Sequence, residues 1–241
     1  MDVTNTGRQT TGLNLQTLRR LKFWIWFEEW TRPTELQVTL IWAGIIGFCG
    51  AACSIAYRIA TTYVHKILTG TSAPGLVESF TELSFWGRLI IPTVGGLIAG
   101  AVMHFGSRFH GQITTTDYME AVVLGDGKIS ARQSLVKSLS ALFTIASGGS
   151  IGREGPLVQL AAMVASLAGR LQRWTTPRLR LLVGCGAAAG IASAYNAPIS
   201  GAVFVAEIVL GSMAMEIFGP LVFASVIATL TVRWFLGPGA L

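Results

Sequence analysis

Ser147-Gly148-Gly149-Ser150-Ile151-Gly152-Arg153-Glu154-Gly155-Pro156 is the stretch of this sequence best equipped for chemistry. Glycines and serines run up to an apolar segment that starts near Glu154 and reads as a helix. Proline suits a first helical turn, because its missing N–H would have no partner there anyway. The glycines let the backbone turn freely and come close to a ligand. A helix start presents unpaired N–H groups and a partial positive charge, which together make a site for an anion. Glu154 places a carboxylate where that anion would sit. The carboxylate can fill the site itself, so a free anion must compete with it, and protonation of Glu154 would open the site. The plainer alternative is an acidic residue that caps a helix, usually worth about 0.3–1 kcal/mol. A phosphate-binding loop fits less well, since the segment lacks the G-K-[ST] ending and a preceding strand.

Which alternative holds depends on the medium, and the rest of the chain points to a bilayer. Of 241 residues, 51% are apolar and 12% charged, about half the roughly 25% charged content of a soluble domain. Residues 36–57 and 181–206 are uncharged runs of 22 and 26 residues, against the about 20 that a spanning helix needs. Inside a membrane an ionisable residue points to function, and Glu154 is then a candidate gate. The net charge of +6 is spread over arginines between apolar segments, where it helps set topology. No basic run is interleaved with stacking aromatics, so nucleic acid is not an expected partner.

The elements that must position Glu154 follow from the apolar pattern. Residues 1–15 read as a polar tail, and 18–30, with Arg19, Arg20, Lys22, Trp24, Trp26 and Trp30, as an interfacial helix that favours a cytoplasmic N-terminus. The first apolar run starts too late for a cleaved signal peptide. Spanning helices are expected over 36–63, 85–105 and 217–234, with a turn-rich link over 69–75. Between the second and third span lie shorter apolar runs, 117–124, 134–146, 154–168, 179–193 and 198–210. A 15-residue helix reaches only about 22 Å, so these read as partial, tilted or re-entrant elements. Interrupted helices are where many transporters place their ion sites. The basic stretch with Arg170, Arg173, Arg178 and Arg180 reads as cytoplasmic by the positive-inside rule. Cys49, Cys53 and Cys185 read as small buried hydrophobes rather than metal ligands. The histidines, His65, His104 and His110, are scattered and read as surface or interfacial residues. No nucleophile–base pairing is visible, so an enzyme is not expected.

Two motifs then resemble one known family. Gly152-Arg153-Glu154-Gly155-Pro156 is similar to the G-[RK]-E-G-P signature of CLC chloride channels and transporters. Gly186-Ala187-Ala188-Ala189-Gly190-Ile191-Ala192-Ser193-Ala194-Tyr195-Asn196-Ala197-Pro198-Ile199-Ser200-Gly201, with Phe204 and Glu207 beyond it, resembles that family's G-A-A-A-G-[IL]-A-x-A-[FY]-N-A-P-[IL]-x-G segment. Thr116-Asp117-Tyr118-Met119-Glu120-Ala121 looks like a bacterial branch. The resemblance covers about residues 36–236.

It implies an all-α polytopic membrane fold with two inverted halves per subunit and two subunits per dimer. Residues 1–35 would be a cytoplasmic tail and interfacial helix, and 36–241 the N-terminal half. The family's second half has no counterpart within these residues. Glu154 falls on the external gating glutamate. Gly152, Arg153, Gly155 and Pro156 fall on the helix start whose backbone amides bind chloride, and the last two helices fall at the dimer interface. The implied protein is a voltage- or pH-gated anion channel or transporter of a bacterial inner membrane. It would handle chloride as the transported ion and need no cofactor. A truncated half that works only with a partner chain is the alternative.

There are two departures from the family pattern. Where the family has G-S-G-I-P, this chain reads Ile113-Thr114-Thr115-Thr116-Asp117. Thr114, or Thr115 beside it, replaces the serine that contacts the central anion; a helix-capping role is the alternative. Many exchangers of the family also carry an inner glutamate directly after the position of Glu207, and here that residue is Ile208, which holds no proton. Glu207, Glu120 and Glu216 read as structural.

Overall fold

In the computed structural model, residues 35–70, 76–108 and 118–237 are described. Thr114, Thr115 and the expected interfacial helix at 18–30 lie outside them. Every regular element among the described residues is helical. In chain order they are α1 (Glu35–Thr69), α2 (Leu76–Glu82), α3 (Phe85–Arg108), α4 (Tyr118–Val123) and α5 (Ala131–Ala146). α6 (Glu154–Leu171), α7 (Thr176–Tyr195), α8 (Pro198–Phe204) and α9 (Met215–Leu236) follow, with a π-helical turn over Val205–Val209 between the last two. The expected all-α fold is thus observed. Among the described residues, α1, α3 and α9 are the helices long and apolar enough to cross a membrane. The sequence pattern misses α2, because a seven-residue helix with Glu78 in its first turn is too short to show an apolar period.

Small residues explain the packing. α7 lies at the centre, with Leu182 through Gly190 buried on every side. It packs closely against α6, and Ala161, Ala162 and Ala165 of α6 and Ala187, Ala188 and Ala189 of α7 have no exposed surface. A Cβ on Gly190 would stand 2.7 Å from the Val158 Cα, and one on Gly186 2.7 Å from the Ala161 carbonyl oxygen. α1 and α9 approach as closely, since a Cβ on Gly47 would lie 2.4 Å from the Ala224 carbonyl oxygen. Lipid supplies no hydrophobic drive between helices, so such backbone approach, with its dispersion contacts, is what associates them.

Several polar groups inside this packing are paired across helices. Tyr57 Oη donates to the Ser138 carbonyl at 3.3 Å, and Ser140 Oγ to the Ala99 carbonyl at 3.0 Å. Ser166 Oγ accepts from the Ile129 N–H at 2.9 Å and donates to the Gly127 carbonyl at 2.8 Å. Arg180 donates to the Gly125 carbonyl through Nε at 3.0 Å and Nη2 at 2.8 Å, and Arg170 to the Ile129 carbonyl. Two of the four arginines read as topology signals therefore also fasten the link between α4 and α5. By contrast α3 leaves Phe85, Trp86, Leu89, Ile90, Val94 and Leu97 exposed, a patch a soluble monomer would not carry.

Candidate functional site

α5 ends in a run of tightening turns. Ser147, Gly148 and Gly149 donate to the carbonyls of Phe143, Ile145 and Thr144 at 3.1, 3.0 and 2.8 Å. Gly148 has φ +95° against the Phe80 ring, and Gly152 has φ +79°. Both conformations favour glycine. α6 then begins at Glu154 with Arg153 as its N-cap, and Arg153 makes no side-chain capping bond. The helix start therefore keeps the N–H donors that its own turns leave unmatched.

The Glu154 side chain folds back over this start. A Cβ on Gly152 would stand 2.4 Å from Glu154 Oε1 and 2.8 Å from Oε2, so the carboxylate occupies the space that the missing side chain leaves. Gly152, Arg153, Gly155 and Pro156 are gathered with it. A cavity of about 320 Å³ opens beside Glu154, lined also by Tyr118, Gly155, Val158, Ile191, Tyr195, Ser200 and Phe204. A second of about 370 Å³ on the other side of Gly155 is lined by Tyr118, Lys137, Ser138, Ala141, Pro156 and Gln159. The helix start thus faces two wells, one holding a carboxylate and one an ammonium. Nothing in this geometry supplies a nucleophile with its base. It suits reversible capture of a small anion by backbone donors, in competition with a resident carboxylate.

Sequence reasoning missed several residues of this site. Lys137 was visible as a single charge in an apolar run, but nothing in its spacing showed that it lines the well beside Pro156. Tyr195 sits in the second motif, and its proximity to Glu154 is a tertiary fact. Arg58 ends the first uncharged run and reaches from α1 to α7, where Nη2 donates to the carbonyls of Ser193 at 3.1 Å and Ala194 at 3.2 Å. His65 corrects an expectation, since it is buried rather than at a surface. Its Nδ1 contacts the Ala146 carbonyl at 2.8 Å and its ring lies 5.9 Å from that of Phe80. Cys185 is fully buried as expected, while Cys49 and Cys53 are half-buried on α1. No group of three or more potential metal ligands is present among the described residues. Ile208 and Glu207 are exposed on the π-helical turn.

Comparison with known proteins gives a consistent result. The family described as voltage gated chloride channel matches residues 94–241. A ClcB-like protein from Ralstonia nicotianae is 52% identical over 202 residues, 82% of this chain and 47% of that protein. The voltage-gated ClC-type chloride channel ClcB of Citrobacter koseri is 43% identical over 206 residues, 84% of this chain and 48% of that one. Among solved structures, a slow cyanobacterial Cl⁻/H⁺ antiporter superposes with a TM-score of 0.60 at 21% identity, over 81% of this chain and 46% of the antiporter. At that identity the likeness concerns fold. The chain spans about half the length of the curated relatives it matches.

Proposed function

This chain belongs to the voltage-gated chloride channel family and is an integral membrane protein, and we propose that it forms half of a chloride pathway gated by Glu154. The observation that carries this reading is the Glu154 carboxylate folded over Gly152, at the start of α6 and beside an open cavity. Deprotonated, the carboxylate competes with chloride for the donors of the helix start. Protonated, it loses its attraction for the helix dipole and yields the site. Gly152 supplies the left-handed turn, while Arg153 and Gly155 supply charge and close backbone approach. Pro156 sets the first turn. Thr114 or Thr115, ahead of α4 in the chain, is assigned the anion's remaining contacts. The pathway works in a homodimer in a bacterial inner membrane, and the reaction is transport rather than covalent chemistry. Ile208, in place of an ionisable residue, favours channel-like or loosely coupled permeation over strict proton exchange. Chloride efflux from liposomes at neutral and acidic pH, with Glu154→Ala alongside, tests the reading.

A second reading follows from the chain spanning about half of its relatives. Here the chain conducts only when paired with a partner chain. Silent but folded and inserted protein that co-purifies with a full-length relative would favour it.

A further inference from the structure

One buried histidine joins α1 to the end of α5. His65 is 7% exposed, and its Nδ1 lies 2.8 Å from the Ala146 carbonyl oxygen. A carbonyl only accepts, so Nδ1 carries the hydrogen and Nε2 is the bare nitrogen of the neutral ring. Ala146 is the last residue of α5, where helix carbonyls lack partners within the helix. The N–H groups of Ser147, Gly148 and Gly149 turn back to Phe143, Ile145 and Thr144. None of them serves Ala146, and the histidine does.

Packing alone does not account for a histidine here. Nε2 is buried with no hydrogen-bond partner, a cost that leucine or phenylalanine would not carry. The ring lies 5.9 Å from that of Phe80 on α2. Phe80 in turn fills the space over Gly148, where a Cβ would stand 2.6 Å from its Cζ. His65 therefore meets the segment between α5 and α6 at Ala146 directly and at Gly148 through Phe80. Glu154 follows Gly148 by six residues. Arg88 of α3 shares a cavity of about 490 Å³ with Phe80 and Gly148, but it is engaged with the Thr81 and Leu83 carbonyls.

We propose that His65 is a positioning residue for the turn that presents Glu154, its Nδ1–H fixing the end of α5 through the Ala146 carbonyl. This rests on the reading of Glu154 as gate. The carboxylate fits over Gly152 only while the turn keeps its shape, so the closed arrangement depends on a side chain of α1.

The test begins with nitrogen NMR of the chain in bilayers, with His104→Gln and His110→Gln so that the imidazole signals are those of His65. At neutral pH the hydrogen is found on Nδ1; a hydrogen on Nε2 and none on Nδ1 overturns the proposal. His65→Leu then displaces the Gly148 and Gly152 amide signals. It also raises chloride efflux at neutral pH by about fivefold, the weight of one hydrogen bond, which flattens the pH profile. His65→Asn places an N–H near the site of Nδ1 and brings both readouts back towards wild type. Unmoved glycine signals in His65→Leu overturn the proposal. So do equal changes in the leucine and asparagine variants, which would assign the effect to ring packing. Failure of the gate reading registers separately, as pH-dependent efflux that survives Glu154→Ala, while the nitrogen and glycine signals report on the positioning alone.

Discussion

The Gln159 carboxamide oxygen accepts the backbone N–H of Tyr118 at 3.2 Å, tying the first residue of α4 to the helix that Glu154 opens. The same carboxamide donates from Nε2 to Ser134 Oγ of α5 at 2.8 Å. One buried side chain thus ties the first residue of α4 to both α5 and α6. Gln159→Leu removes both bonds and strips the buried Ser134 hydroxyl of its donor, at a cost of about 1–3 kcal/mol. Thermal unfolding in detergent should show a lowered midpoint, and an unchanged one would mean that the junction is held by other contacts.

Gly152→Ala puts a side chain at φ +79° and within 2.4 Å of Glu154 Oε1. The carboxylate must leave its place, and the backbone is strained by about 1–2 kcal/mol. Acid activation of efflux should weaken towards the behaviour of Glu154→Ala. Gly96→Ala, with nothing within 4 Å, should leave the pH profile of efflux as it is in the wild type.

Much of this was legible in the sequence, and the division has a physical cause. The helix start at Glu154 was visible because a glycine-rich turn followed by Glu-Gly-Pro has few other uses, and α6 and α7 were visible as apolar runs. Tyr195 meeting Glu154, or Arg58 reaching Ser193 from 135 positions away, depends on how α1, α6 and α7 cross. α7 is buried on all sides, so it offers no amphipathic period from which a neighbour can be inferred. His65 was misread because one histidine in an apolar helix looks the same whether it faces lipid headgroups or the end of α5.

Gly190→Val overpacks the contact between α6 and α7, where even a Cβ would lie 2.7 Å from Val158 Cα. A loss of about 1–3 kcal/mol is expected, read as a lower unfolding midpoint or failed insertion. Gly219→Ala in α9 is the contrast, with nothing within 4 Å. It should be neutral or should stabilise by about 0.5–1 kcal/mol. Equal effects would show that close helix approach is not what holds the bundle.

Arg58→Met keeps the aliphatic stem and removes the donors to Ser193 and Ala194. Bonds from a charged donor are worth about 1.5–3 kcal/mol, so the unfolding midpoint should fall. Unaltered stability would assign Arg58 to the surface.

The claim that Glu154 gates an anion pathway is tested most directly by chloride efflux from liposomes, at neutral and acidic pH, with wild type and Glu154→Ala in parallel. The account predicts that wild-type efflux rises on acidification and that Glu154→Ala is fast at both pH values, its pH dependence gone. Identical efflux from the two proteins at every pH would contradict it.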